Sequence, residues 1–161
     1  MRKPVAANIA ALRQSLDSLR KSGGNTGSSI MMSNLAEAVL ASGDPDGAEA
    51  ALHEGFAFVA QSGERYWLAD LHRLSGQVAL QRREPNRSCA ESCFLQAIEV
   101  ARTQEARLLE LRAATDLGRL WQGTRAKDDI RALIAPILGQ IEGGETAPDI
   151  RNARALLAEL A

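Results

Sequence analysis

The stretch Trp67-Leu68-Ala69-Asp70-Leu71-His72-Arg73-Leu74-Ser75-Gly76-Gln77-Val78-Ala79-Leu80 reads as a helix, with Trp67, Leu68, Leu71, Leu74 and Val78 on one apolar stripe and bare Gly76 inside it. Two helix axes approach to about 8–10 Å only where the residues at the crossing are small. Gly118 and Ala36 hold the equivalent place roughly 40 residues to either side, and Ala48, Ala90 and Ile130 follow twelve to fourteen residues later. A small-residue pattern that returns at this period predicts stacked pairs of helices. Each pair has an apolar face it cannot bury alone, so the units must stack, and the product is an open concave surface that favours binding over chemistry.

Outward from that stretch, nearly everything is predicted helical. Ile9, Leu12, Leu16 and Leu19 define an amphipathic helix over 5–21, closed by the Gly-rich segment 22–27. Met31, Leu35, Ala38 and Val39 mark a second helix that stops at Gly43. Asp44-Pro45 then offers an N-cap and a first-turn proline for the next, whose stripe is Ala48, Ala51, Leu52, Gly55, Phe56 and Val59. Glu84-Pro85-Asn86 breaks the chain before the Ala90, Cys93, Phe94, Ala97, Ile98 and Ala101 stripe. Leu111, Ala114, Leu117, Gly118 and Trp121 line the following helix, and Ile130, Ile134, Ile137 and Ile141 its partner, with Pro136 inside. Residues 147–160 make the last. The expectation is a single all-α domain over 1–161: an orphan helix at 5–21, repeats at 26–62, 64–103 and 107–142, and a capping helix at 147–160, about eight antiparallel helices in all.

Charge excludes several functions. Nineteen basic and twenty acidic residues leave a net charge of −1, so nothing here suits non-specific nucleic-acid binding. No stretch has the ~18 apolar residues of a membrane span, and no signal peptide follows the start, so a cytoplasmic protein with no membrane partner is expected. Cys89 and Cys93 are too few for a disulfide framework and fit a reducing compartment. All basic residues except Lys3, Lys21 and Lys127 are arginine, which with abundant alanine fits a GC-rich bacterial genome.

Leu117-Gly118-x-x-Trp121 followed by an Ala-x-x-x-Phe element, here Ala90-x-x-x-Phe94 in the preceding unit, resembles the tetratricopeptide consensus. His72 and Ala114 replace the consensus tryptophan, Ile130 replaces a small alanine, and the units run longer than the usual repeat. The fold expected is therefore a tetratricopeptide-like helical-hairpin solenoid. Gly63-Glu64-Arg65-Tyr66-Trp67-Leu68-Ala69-Asp70-Leu71-His72-Arg73-Leu74-Ser75-Gly76 is similar to the C-terminal tetratricopeptide-like region of bacterial multidomain class III adenylate/guanylate cyclases and related ATPase-type regulators. So are Leu109–Trp121, Ala135-Pro136-Ile137 and Thr146-Ala147-Pro148-Asp149. That resemblance covers roughly 5–160. It implies a regulatory or scaffolding tail without its catalytic modules: no cyclase metal-binding aspartates correspond, and the Gly-rich segment at 23–29 lacks the Gly-Lys-Ser/Thr ending of a phosphate loop.

In such stacks the first helices of successive hairpins line the concave face. With the small crossing residues as register marks, Ser33, Glu37, Asp70, Arg73, Gln77, Gln81, Arg112, Thr115 and Arg119 are predicted to point into it. Arg73, Arg112 and Arg119 would clamp carboxylates bidentately, favouring an acidic protein or peptide partner. An ordinary solvated face with internal ion pairs is the plainer reading. A sensor using the groove for an anionic effector is the alternative function. No catalytic residue, metal or cofactor is expected: Cys89 and Cys93 lie four apart with only His53 and His72 as further ligands, and His72 reads as a packing residue at a helix seam. Tyr66 and Trp67 should staple neighbouring units or meet a partner. The unmatched apolar face of the orphan helix predicts a homodimer or a docked segment.

Overall fold

The computed structural model describes residues 3–21 and 27–160. Within them the chain forms helices α1 (Lys3–Lys21), α2 (Ser28–Ala41), α3 (Pro45–Ser62), α4 (Leu68–Gln81), α5 (Arg87–Thr103), α6 (Arg107–Trp121), α7 (Lys127–Gly139) and α8 (Pro148–Glu159), and no strand. Of the break expected at 22–27, residues 22–26 lie outside the described residues, and Gly27 stands at the N-cap position of α2.

Local chemistry sets the helix ends. The Asp44 carboxylate accepts the Gly47 N–H at 2.8 Å and Pro45 takes the first helical position, where a missing N–H is no loss. Asn86 caps α5 in the same way, accepting the Cys89 N–H at 2.9 Å. Gly63 closes α3 at φ 75°, a left-handed cap that side chains rarely adopt. At its start, α2 has no side-chain cap of its own. Glu64, from the α3–α4 connection, supplies one: its two oxygens accept the Gly27 N–H at 3.0 Å and the Ser29 N–H at 3.1 Å. A carboxylate there satisfies orphan donors and faces the positive end of the helix.

The glycines predicted at crossings have no room for a side chain. A Cβ at Gly76 would lie 2.5 Å from the Phe94 ring on α5. One at Gly118 would lie 2.9 Å from Ile134 and 3.0 Å from Ile130 on α7. Ile130, bulky where the consensus has alanine, is thus accommodated by the bare residue facing it. Ala36, Ala48 and Ala90 are fully buried.

Each helix packs on its chain neighbours, and in addition α2 touches α4, α4 touches α6 and α6 touches α8. Among the described residues α3, α5 and α7 do not touch one another. The core divides in two: Leu16, Met32, Val39, Leu52, Leu71 and Leu74 belong to one cluster, and Phe94, Ile98, Leu111, Leu117, Ile134 and Leu156 to the other. The clusters meet at α4, which sends Leu71, Leu74 and Val78 into the first and Ala79 into the second. Ile9, Leu12 and Leu16 of α1 pack into the first cluster, and α1 lies against α2. No helix among the described residues is long and apolar enough to cross a membrane.

Candidate functional site

Five of the nine residues predicted for the groove meet in one hydrogen-bonded network, formed because α2, α4, α6 and α8 touch in sequence. Asp70, in the first turn of α4 and 2% exposed, is its centre. Its Oδ2 accepts the Ser33 hydroxyl from α2. Its Oδ1 accepts Arg73 Nε at 2.7 Å and Arg112 Nη1 at 3.2 Å. Arg73 also donates through Nη1 to Asp116 at 3.1 Å and through Nη2 to Glu37 at 3.1 Å. Arg112 completes a bidentate pair with Asp149 of α8, Nε to Oδ1 at 3.0 Å and Nη2 to Oδ2 at 2.9 Å. One polar ladder therefore runs across all four helices.

Burial governs the charges. By itself it would raise the Asp70 carboxyl, but the Arg73 charge and hydrogen bond, the Ser33 hydroxyl and Arg112 outweigh it and hold Asp70 below its ordinary value. Burial likewise opposes the charged form of Arg73, and Asp70, Asp116 and Glu37 reverse that, pushing it well above the usual guanidinium range. Arg112 is raised too, with burial again opposed, here by Asp149 and Asp70. Both arginines remain charged at any physiological pH.

This arrangement changes what the face can bind. Each of the two arginines uses Nε, Nη1 and Nη2 on carboxylates of the same chain, so three of the five N–H donors of each are engaged internally. Four carboxylates (Glu37, Asp70, Asp116, Asp149) meet two guanidinium groups, so the network itself is acidic. The crevice beside it, lined by Arg112, Thr115, Asp116, Arg119, Asp149 and Asn152, encloses about 30 Å³, room for a water and not for a metabolite.

The other predicted residues stand apart from the network. Thr115 is buried and donates to the Leu111 carbonyl of its own helix at 2.7 Å. Gln77 is half-buried, while Gln81 and Arg119 are exposed. Asp116 and Asp149 were missed by the sequence reasoning. Asp116 lies one turn after Arg112 on α6, a spacing that sets the two on one side and was available as a signal. Asp149, in a first turn after proline, reads only as a companion to the helix dipole, and nothing local marks its partner.

Remaining candidates resolve simply. His72 packs against Phe56 with ring centroids 5.0 Å apart, and burial lowers its pKa, which is the seam position expected. His53 is exposed. Tyr66 is 77% exposed and precedes α4 instead of opening it, so it staples nothing; Trp67 occupies the N-cap position. Cys89 and Cys93 are free thiols. Among the described residues no three His, Cys, Asp or Glu side chains are grouped to hold a metal.

No protein-family model matches the chain, and no curated protein matches it.

Proposed function

We propose that the chain is a tetratricopeptide-like stack of antiparallel hairpins, α2–α3, α4–α5 and α6–α7, flanked by α1 and α8. On this reading it is a non-catalytic cytoplasmic module that binds another protein, as the regulatory tail of a cyclase-type signalling protein would. The observation that carries this is the row α2, α4, α6, α8, in which every second helix touches the next while α3, α5 and α7 stay apart. A solenoid whose first helices line a concave face has this pattern. The divided core agrees, since each unit packs only on its neighbours. The surface agrees as well: the chain exposes 9230 Å², against about 7,800 Å² for a compact monomer of its mass.

The partner is a protein segment laid along this row. It meets Glu37, Gln77 and Gln81 with Arg119 at one side, so the acidic preference suggested by three arginines now rests on Arg119. With Arg73 and Arg112 engaged internally and the adjoining crevice no larger than a water, a protein is favoured over a small anionic effector.

The test pairs capture with shape. A tagged chain carrying Arg119→Glu and Gln81→Arg is expected to lose a partner that Glu99→Arg, on exposed α5 surface, retains; capture unaffected by the first variant and lost with the second would refute the face. Solution scattering should give a radius of gyration above the ~15 Å of a compact globule of this length. A value at that limit would refute the open stack.

A further inference from the structure

Away from that row, α3, α4 and α5 enclose a cleft of about 200 Å³ with Leu52, Phe56 and Val78 on its apolar side and Cys89 and Cys93 on another. The cysteines sit one turn apart at the start of α5. Cys89 is exposed and Cys93 half-buried, and the Cys89 side chain acts on the Cys93 thiol. We propose that Cys89 and Cys93 form a peroxide-responsive dithiol, a modification site whose oxidant is a small hydroperoxide and whose product is a reversible disulfide within α5.

Their environments divide the labour. Cys89 meets solvent and oxidant directly. Cys93 is pushed up to about 11, by burial first and by the neighbouring Cys89 second, so it holds its proton at neutral pH and takes no part in the first attack. The Cys89 thiolate attacks the outer oxygen of the hydroperoxide and the O–O bond breaks. Sulfur is oxidised to the sulfenic acid, and the peroxide is reduced to an alkoxide that takes up the proton Cys89 released. The Cys93 sulfur then attacks the oxidised sulfur: the S–S bond forms, the S–O bond breaks, and the hydroxyl leaves as water with the Cys93 proton. Two equivalents of a small thiol restore the pair by exchange.

Geometry gives the bond a consequence. Residues four apart on a helix hold their Cβ atoms about 5–6 Å apart, whereas a disulfide brings them to about 3.5–4.5 Å. Closing it therefore deforms the first turn of α5. That turn is where Asn86 caps the Cys89 N–H at 2.9 Å, the Asn86 N–H meets the Ala79 carbonyl at 3.0 Å, and Arg87 donates to the Leu120 carbonyl. Oxidation thus acts on the joint between α4, α5 and α6.

Equimolar hydrogen peroxide added to the whole chain, followed by thiol titration and intact mass, tests this. Both thiols should vanish together in a monomer lighter by two hydrogens, dithiothreitol should restore them, and amide exchange at Cys89 and Ala90 should rise. Cys93→Ser should stop at a sulfenic acid on Cys89 that dimedone traps, and Cys89→Ser should not react on the same timescale. The proposal is overturned if both thiols survive peroxide that oxidises free glutathione. It is equally overturned if the wild type keeps an added oxygen without closing, or links only into dimers. The wild-type measurement decides even where a serine variant fails to fold.

Discussion

Replacing Gly76 by alanine should destabilise the protein, although alanine is the better helix former. Alanine's advantage in a helix interior is about 1 kcal/mol. Against it stands the Cβ contact, 2.5 Å from the Phe94 ring, with two further ring carbons at 2.8 and 3.0 Å. Phe94 is fully buried and cannot swing into solvent, and overpacking of such a site costs about 1–3 kcal/mol. The net expectation is a loss of about 1 kcal/mol, or ~2–4 °C in melting temperature for a chain of this length. Gly139→Ala is the matched control: it lies in the last turn of α7 with nothing within 4 Å of its Cβ, and should gain ~0.4–1 kcal/mol. Urea unfolding with an unchanged slope gives both values. Phe94→Leu should cost less in the Gly76→Ala background than in the wild type, because removing the ring relieves the clash. If Gly76→Ala proves as stable as Gly139→Ala, α4 and α5 do not cross closely at Gly76 and the packing argument fails.

Two further predictions concern polar groups. Asp70→Asn leaves buried Arg73 short of its nearest counter-charge and should cost about 3 kcal/mol at neutral pH, read from urea midpoints. Because folding holds Asp70 below its ordinary 3.8, its stabilisation is complete above that pH and is lost as pH falls through the depressed value; the variant should show a shallower acid limb below pH 3.8. Glu64→Ala removes the borrowed cap of α2 and should cost about 1 kcal/mol, with faster amide exchange confined to the first turn of that helix; unchanged exchange at Ser29 would refute the cap.

Legibility differed between backbone and site. Periodicity located the helices, and Asp44 and Pro45 stand where turn chemistry put them. The small residues at 36, 76 and 118 announced close approaches, and Gly118 explains an isoleucine at 130 that looked like a departure. The candidate site was legible only in part: the register brought Ser33, Glu37, Asp70, Arg73 and Arg112 to one place and left two readings of it, a face turned to a ligand or a solvated face with internal ion pairs. Spacing along a helix reports which side a residue is on. It does not report what covers that side, and here Asp116 and Asp149 do.

From its amino-acid order alone, this protein's helices, their ends and the places where bare residues permit contact were determined, because propensity, capping and steric size act over a few residues. Which distant partners its charges meet was decided by tertiary structure alone. Asp70 meets Ser33 and Arg112 from two other helices, and Glu64 caps a helix that begins 36 residues before it. Pairings of that range depend on burial and on a neighbour's approach, which no local pattern encodes.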